Sequence, residues 1–241
     1  MNLKTLMAAA ALAGLAFGAQ ADSVRLGTEG AYPPYNFIND DGEIDGFERE
    51  LGDELCKRAG LDCTWVKNDW DSIIPNLVSG NYDVIIAGMS ATAERDKVID
   101  FTEAYIKPGP SYYVGLSGAD ESAADGVVAA QVNTIQAGHV PTTGATLVEF
   151  ATPDETIAAV KNGEADAVLA DGDYLRPIID ESGGELTVVK EVSLGGGTAM
   201  GIRESDTELK EKLSAAVASV KADGTLNTML SKWFGEKADL W

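Results

Sequence analysis

Apolar positions along the chain switch between two spacings. In "FERELGDELCKRAG" (47–60), Phe47, Leu51 and Leu55 recur every fourth residue, basic residues fill the last turn and Gly60 follows. That pattern predicts an amphipathic helix with its stop signal. "WDSIIPNLVSG" (70–80), "TELKEKLSAAVASVKADG" (207–224) and "TLNTMLSKWFG" (225–235) predict three more, each ending on glycine. Between them lie short apolar runs: "VRLGTEG" (24–30), "CTWV" (63–66), "YDVIIAGMS" (82–90) and "TAMGIRE" (198–204) read as strands. Strands alternating with helices predict an α/β fold with largely parallel sheets. The polar tail after Gly235 reads as loose.

One unit is written twice. "SIIPNLVSGNYDVIIAGMS" (72–90) and "ETIAAVKNGEADAVLADGD" (155–173) align without a gap. Each has a short helix, a glycine, an aspartate three residues on, a buried strand and a polar, glycine-containing turn. Either these are two halves of one sheet, or each belongs to its own lobe. Ligands of open α/β sheets bind outside the carboxyl ends of the strands. Two facing lobes would therefore aim "AGMS" and "ADGD" into one cleft. Gly195-Gly196-Gly197 reads as a crossover between lobes; it lacks the spacing of a nucleotide loop.

The first 21 residues stand apart. Lys4, an apolar run from Leu6 to about Phe17 and Ala19-Gln20-Ala21 form the pattern of a secretory signal peptide, cleaved after Ala21. The run is too short for a permanent membrane span, and no cysteine offers a lipid anchor at the cleavage site. Export gives the two cysteines their meaning. Cys56 and Cys63 read as one disulfide, joining a helix end to the next strand. A metal role lacks a histidine or second cysteine pair at zinc spacing. The chain carries 18 Lys+Arg against 39 Asp+Glu, a formal net charge of −21. Such a surface repels nucleic acid and anionic membranes.

Four chemical groups fall near strand ends. Arg95, past the strand of 82–90, is either a guanidinium for a carboxylate or an exposed arginine paired with Glu94 or Asp96. Asp171 suits an ammonium group or forms an Asp-Gly turn; Asp173 reads as turn or helix cap. Tyr32 and Trp70 offer aromatic faces to a cation or pack in the core, as Tyr35 does. Glu29, beside Tyr32, receives a cationic side chain or is simply solvated. Enzyme motifs are missing: there is no G-x-S-x-G, H-E-x-x-H or P-loop, and the one histidine, His139, reads as surface or packing.

These residues carry a resemblance. "GTEGAYPPYNF", "GEIDGFERELGDELCKRAGLDCTWV", "WDSIIPNLVSGNYDVIIAGMSATAERDKVIDFTEAY" and "TELKEKLSAAVASVKADGTLNTMLSKWFG" are similar to the polar amino-acid-binding proteins of bacterial ABC importers, the family 3 solute-binding proteins. The segment with Cys56 and Cys63 is most similar to lysine/arginine/ornithine and histidine binders. The resemblance implies a two-lobed type II periplasmic-binding-protein fold with two hinge crossings: residues 22–107 with 198–241 form lobe 1, and 108–197 form lobe 2. It implies a periplasmic, monomeric receptor without cofactor or catalytic residues, whose partners are an amino acid and an inner-membrane permease. By the family pattern, Arg95 binds the ligand carboxylate with Ser90 and Thr134. Asp171 binds the α-ammonium, helped by the Gly88 carbonyl or the Ser90 hydroxyl. Tyr32 and Trp70 sandwich the side chain, and Glu29 takes its cation. Two departures stand out: Glu29 is a methylene longer than the family's aspartate, and "QVNT" (131–134) replaces a glycine-threonine anion site. Glutamine, an opine or another amino-acid-headed solute are alternative ligands. A dehydratase on the same scaffold is the alternative class, and a receptor sensor module a third reading.

Overall fold

The computed structural model describes residues 22–241. The expected leader and its cleavage site lie outside the described residues. The first lobe runs through β1 (Ser23–Thr28), the short strands β2 (Ala31–Tyr32), β3 (Asn36–Ile38) and β4 (Ile44–Asp45), α1 (Phe47–Ala59), β5 (Asp62–Lys67), α2 (Ile73–Val78), β6 (Val84–Ile85) and β7 (Asp100–Phe101). The chain then crosses to β8 (Pro110–Leu116), β9 (Val127–Gln131), α3 (Ile135–Thr143), β10 (Thr146–Phe150), α4 (Pro153–Lys161), β11 (Ala167–Asp171), α5 (Gly172–Glu181) and β12 (Leu186–Ser193). It returns for β13 (Gly201–Ile202), α6 (Thr207–Ala222) and α7 (Thr225–Phe234).

Two five-stranded sheets result, ordered β5-β1-β6-β13-β7 and β10-β9-β11-β8-β12. The duplicated segments thus supply the third strand of each sheet, which separates the two-lobe reading from the one-sheet reading. Only the first three strands of each order run parallel. The strands flanking the crossings add antiparallel, because a chain arriving from the other lobe enters its sheet from the opposite end. Each lobe is a mixed sheet for that reason.

Local signals explain α1. Phe47, Leu51 and Leu55 are fully buried, Gly60 caps the helix with φ 68°, and Lys57 and Arg58 occupy the last turn. Cys56 and Cys63 are bonded and tie α1 to β5. Closing so short a loop contributes roughly 2–3 kcal/mol by chain entropy. The strand expected over 82–90 is paired regularly only at Val84–Ile85. Gly88, at φ 63°, turns the chain away from the sheet, and Ser90 resumes pairing as a lone bridge to Thr198.

The crossings lie side by side, with Ile106 also bridged to Thr198. The glycine run makes this approach possible. A Cβ at Gly197, where φ is 95°, would sit 2.8 Å from the Ile106 carbonyl, and one at Gly196 2.9 Å from that of Ala91.

The tail is fastened, contrary to its loose appearance in sequence. The Trp241 indole N–H donates to the Tyr105 carbonyl at 2.8 Å. Asn227 brackets the Trp241 backbone, accepting from its N–H at 2.8 Å and donating to its carbonyl at 3.0 Å. Lys221 Nζ stands 3.5 Å from the ring centroid. The polar composition hid a residue that joins an apolar face to a donor. Trp241→Ala should cost about 1.5 kcal/mol, roughly 3–6 °C in Tm, read by thermal melting of the ligand-free protein. An unchanged Tm would show the tail contacts to be idle.

Candidate ligand-binding site

The carboxyl ends of the strands face one another between the lobes. β1 delivers Glu29 and, through the loop after it, Tyr32. The turn after β6 delivers Gly88 and Ser90, and a 3-10 turn at Arg95–Lys97 presents Arg95. Trp70 opens a 3-10 turn ahead of α2. From the second lobe, β9 ends on Gln131, Thr134 caps α3, and β11 ends on Asp171. All eight residues expected from sequence line one cavity of about 30 Å³, together with Ala87, Gln131, Ile135 and Gln136. His139 is not among them; it lines an adjoining open groove of about 770 Å³ that shares Trp70, Arg95, Thr134 and Ile135 with the cavity.

The charges in this cavity feel one another, as Asp171 does Arg95, but form no direct ion pairs among the described residues. Arg95 donates from Nη1 to the Ser90 carbonyl at 2.9 Å and from Nη2 to the Asn133 carbonyl at 3.0 Å. Its guanidinium carbon stands 5.4 Å over the Trp70 ring. Among the described residues no carboxylate forms an ion pair with it, so the pairing with Glu94 or Asp96 is absent. Burial pushes its pKa down to about 10. Asp171 accepts from the Tyr32 hydroxyl at 3.0 Å and from Gln136 Nε2 at 2.9 Å. Loss of solvation pushes its pKa up to about 6, against the pull of the Tyr32 bond. Glu29 is 5% exposed and accepts from Gln131 Nε2 at 2.6 Å. Burial lifts it to about 7. A guanidinium and two carboxylates thus stand desolvated around a space that holds little more than a water molecule.

The remaining expected residues have definite places. Trp70 is 7% exposed and its indole N–H has no partner among the described residues. Tyr32 stacks on Tyr174, with centroids 4.1 Å apart, packs against Tyr35 at 5.7 Å and also lines the cavity. The Gly88 N–H is held by Glu48 at 2.6 Å. Thr134 uses its hydroxyl to cap α3, accepting from Ala137 N–H at 3.1 Å and donating to the Gln131 carbonyl at 2.7 Å. What the helix start adds for an anion is its first-turn N–H groups, which lack intrahelical acceptors. Asn133 takes the turn that "QVNT" put in question, with φ 59°, and this brings its carbonyl to Arg95.

Three participants escaped the sequence reading. Gln131 had a signal: it ends the apolar run "VVAAQ" as Asp171 ends "AVLAD". Gln136 and Glu48 had none, since each looks like a solvated residue in the first turn of a helix.

The description "Bacterial extracellular solute-binding proteins, family 3" fits residues 24–236. The chain belongs to this family. The histidine-binding periplasmic protein of Escherichia coli K12 is 30% identical over 234 residues, spanning 91% of this chain and 90% of its own length. The octopine-binding periplasmic protein of Rhizobium meliloti is 32% identical over 288 residues, 97% of this chain and 98% of its own. Among solved structures, a periplasmic His/Glu/Gln/Arg/opine family-binding protein from Silicibacter pomeroyi in complex with lysine is 71% identical, covers 90% of this chain and 100% of its own, and superposes with a TM-score of 0.88. In this family 3 solute-binding protein the lobes meet directly. Glu29–Gln131, Tyr32–Asp171 and Arg95–Asn133 are bonds between lobes made by the very groups that face the cavity.

Proposed function

We propose that this periplasmic protein captures a cationic amino acid between its lobes and presents the closed form to the permease of an ABC importer. The observation that carries the reading is the set of charges left without ion pairs: a desolvated guanidinium and two desolvated carboxylates face one cavity, and among the described residues none of the three forms a direct ion pair. A ligand with one carboxylate, one α-ammonium and a cationic side chain completes all three. Arg95, with the Ser90 region and the α3 start at Thr134, takes the carboxylate. Asp171 takes the α-ammonium, with the Gly88 carbonyl or the Ser90 hydroxyl as further acceptor. Glu29 takes the side-chain cation, whose stem lies between Tyr32 and Trp70. We place the lobes at 22–107 with 198–241 and at 108–197, and the working unit as a monomer.

Entry requires the lobes to part, because the closed cavity is too small for an amino acid. Gln131 then yields Glu29 to the ligand cation, and the Tyr32 hydroxyl yields Asp171 to the ammonium. Arg95 and Glu29 belong to one lobe and Asp171 to the other. A ligand bearing both charges therefore binds the closed form best and shifts the population toward it. A micromolar ligand supplies about 8 kcal/mol in all, ample for an equilibrium of a few kcal/mol. Each charged group is matched to one ligand charge, which leaves no acid–base pair for a reaction and favours a receptor over a dehydratase. Calorimetry with arginine, lysine, ornithine, histidine, glutamine and glutamate tests the reading. Arginine, lysine or ornithine should bind at micromolar Kd or tighter, with glutamate at least a hundredfold weaker. Tight glutamate or glutamine binding without a response to the cationic set overturns the ligand class.

A further inference from the structure

Glu48, in the first turn of α1, is fully buried and forms no ion pair among the described residues. It also lies outside the ligand cavity. Its Oε1 accepts from the Gly88 N–H at 2.6 Å and from the Tyr105 hydroxyl. Its Oε2 accepts from Asn36 Nδ2 at 2.7 Å, and Asn36 in turn accepts from the Gly30 N–H at 2.7 Å. One carboxylate therefore joins three segments: the loop that presents Glu29 and Tyr32, the turn that presents Gly88 and Ser90, and the residue that opens the first crossing. Tyr105 also donates its N–H to the Thr198 carbonyl at 2.8 Å, which binds it to the return crossing.

Three groups converge on two oxygens: the Gly88 N–H and the Asn36 amide can only donate there, while the Tyr105 hydroxyl donates to an ionised carboxylate or accepts from a protonated one. Burial pushes the Glu48 pKa up, against the pull of the bonds from Tyr105, Gly88 and Asn36. A buried carboxyl without a counter-ion is a costly way to hold a helix start, since an apolar residue of similar volume does that at least as well. What the carboxyl adds is rigidity between the ligand-facing turn and the crossing. We infer that Glu48 is a positioning residue for ligand capture: it locks the Gly88 turn to Tyr105, so that the ammonium-facing backbone and the root of the hinge move as one body. Bending on closure then begins beyond Tyr105, in the segment from Ile106 to Pro110. The inference rests on the receptor reading for its effect on ligand but not for its effect on the backbone.

The test uses Glu48→Gln and Tyr105→Phe in the mature chain, with arginine and lysine as probes. Glutamine keeps the volume but offers one acceptor and turns an NH2 group toward donors. Affinity per folded molecule, measured by calorimetry well below Tm, should fall at least tenfold in E48Q and severalfold in Y105F. The loss should appear as faster dissociation in stopped-flow tryptophan fluorescence. A role confined to stability would lower Tm and leave both quantities unchanged in the folded protein. Amide hydrogen exchange in the ligand-free protein gives an independent readout. Gly88 and Tyr105 should exchange faster together in E48Q while the central strands keep their protection. Binding within twofold of the parent in both variants, or unchanged exchange at Gly88 and Tyr105, overturns the inference. Should E48Q fail to fold, Y105F decides it alone. A parent protein that binds none of the amino acids, yet shows the coupled exchange, overturns the receptor reading and not the coupling.

Discussion

Arg95→Ala is expected to weaken binding of every amino acid, whatever its side chain, by on the order of a thousandfold. The guanidinium is held without a charged partner, by two carbonyls and the face of Trp70. Its desolvation, which lowers its pKa to about 10, has already been imposed by folding. An incoming carboxylate therefore meets a preorganised, poorly hydrated cation. Truncating one side of such a pair costs about 2–5 kcal/mol, because the partner charge is left buried alone, and 1.4 kcal/mol is a factor of ten. The effect is uniform across side chains because the carboxylate is common to them all. Stability should move the other way: removing an unpaired, desolvated cation relieves the empty protein, so Tm without ligand is unchanged or higher. Calorimetry against lysine, arginine and histidine checks the first part, and melting the second. Affinity retained for any of the three would mean that the carboxylate lies elsewhere. Asp171→Asn should then become the more damaging variant.

How far the site was legible depends on whether its signals were local. The α1 face and its Gly60 stop are set by near neighbours, so spacing alone located them. Asp171 was singled out because a carboxylate ending a buried run is conspicuous; Gln131 ends its run in the same way but was missed, since an amide carries no charge to draw attention. Glu48 was not. An acid in the first turn is what any solvated helix start favours, and its burial is decided by Tyr105, 57 residues further on. The mixed direction of the sheets was hidden for a related reason. β8 and β13 pair as they do because the chain changes lobes before each, and no window of sequence contains both sides of that event. Trp241 misled in the opposite sense, since its polar neighbours concealed a long-range contact with the root of the first crossing.

Affinity for arginine should rise steeply with pH between about 5 and 8 and then level off. In the empty protein Glu29 titrates at about 7 and Asp171 at about 6, both raised chiefly by burial. A bound cation favours the ionised form of each, so binding lowers both pKa values and expels protons. At pH 5 Glu29 is ionised in roughly one molecule in a hundred and Asp171 in roughly one in ten, so affinity lies roughly a thousandfold below its plateau. Arginine keeps its charge throughout this range, so the slope belongs to the protein. At pH 7 about half a proton should leave Glu29 on binding, seen as a calorimetric enthalpy that differs between phosphate and Tris buffers. Glu29→Gln should lower the plateau and flatten the upper part of the profile, leaving only the roughly tenfold fall from Asp171. Stability of the empty protein carries the opposite sign. Between the ordinary carboxylate range and pH 7 the folded state holds more protons at Glu29 and Asp171 than the unfolded chain does. Those two groups therefore destabilise the fold as pH rises. Asp83, held down to about 2, contributes stability that is lost only as pH falls below the ordinary aspartate range; burial raises its pKa, but bonds from Arg25 and Arg203 outweigh that. Ligand should thus raise Tm most near pH 8 and least near pH 5. A flat affinity profile across that range would show that neither carboxylate faces the ligand cation.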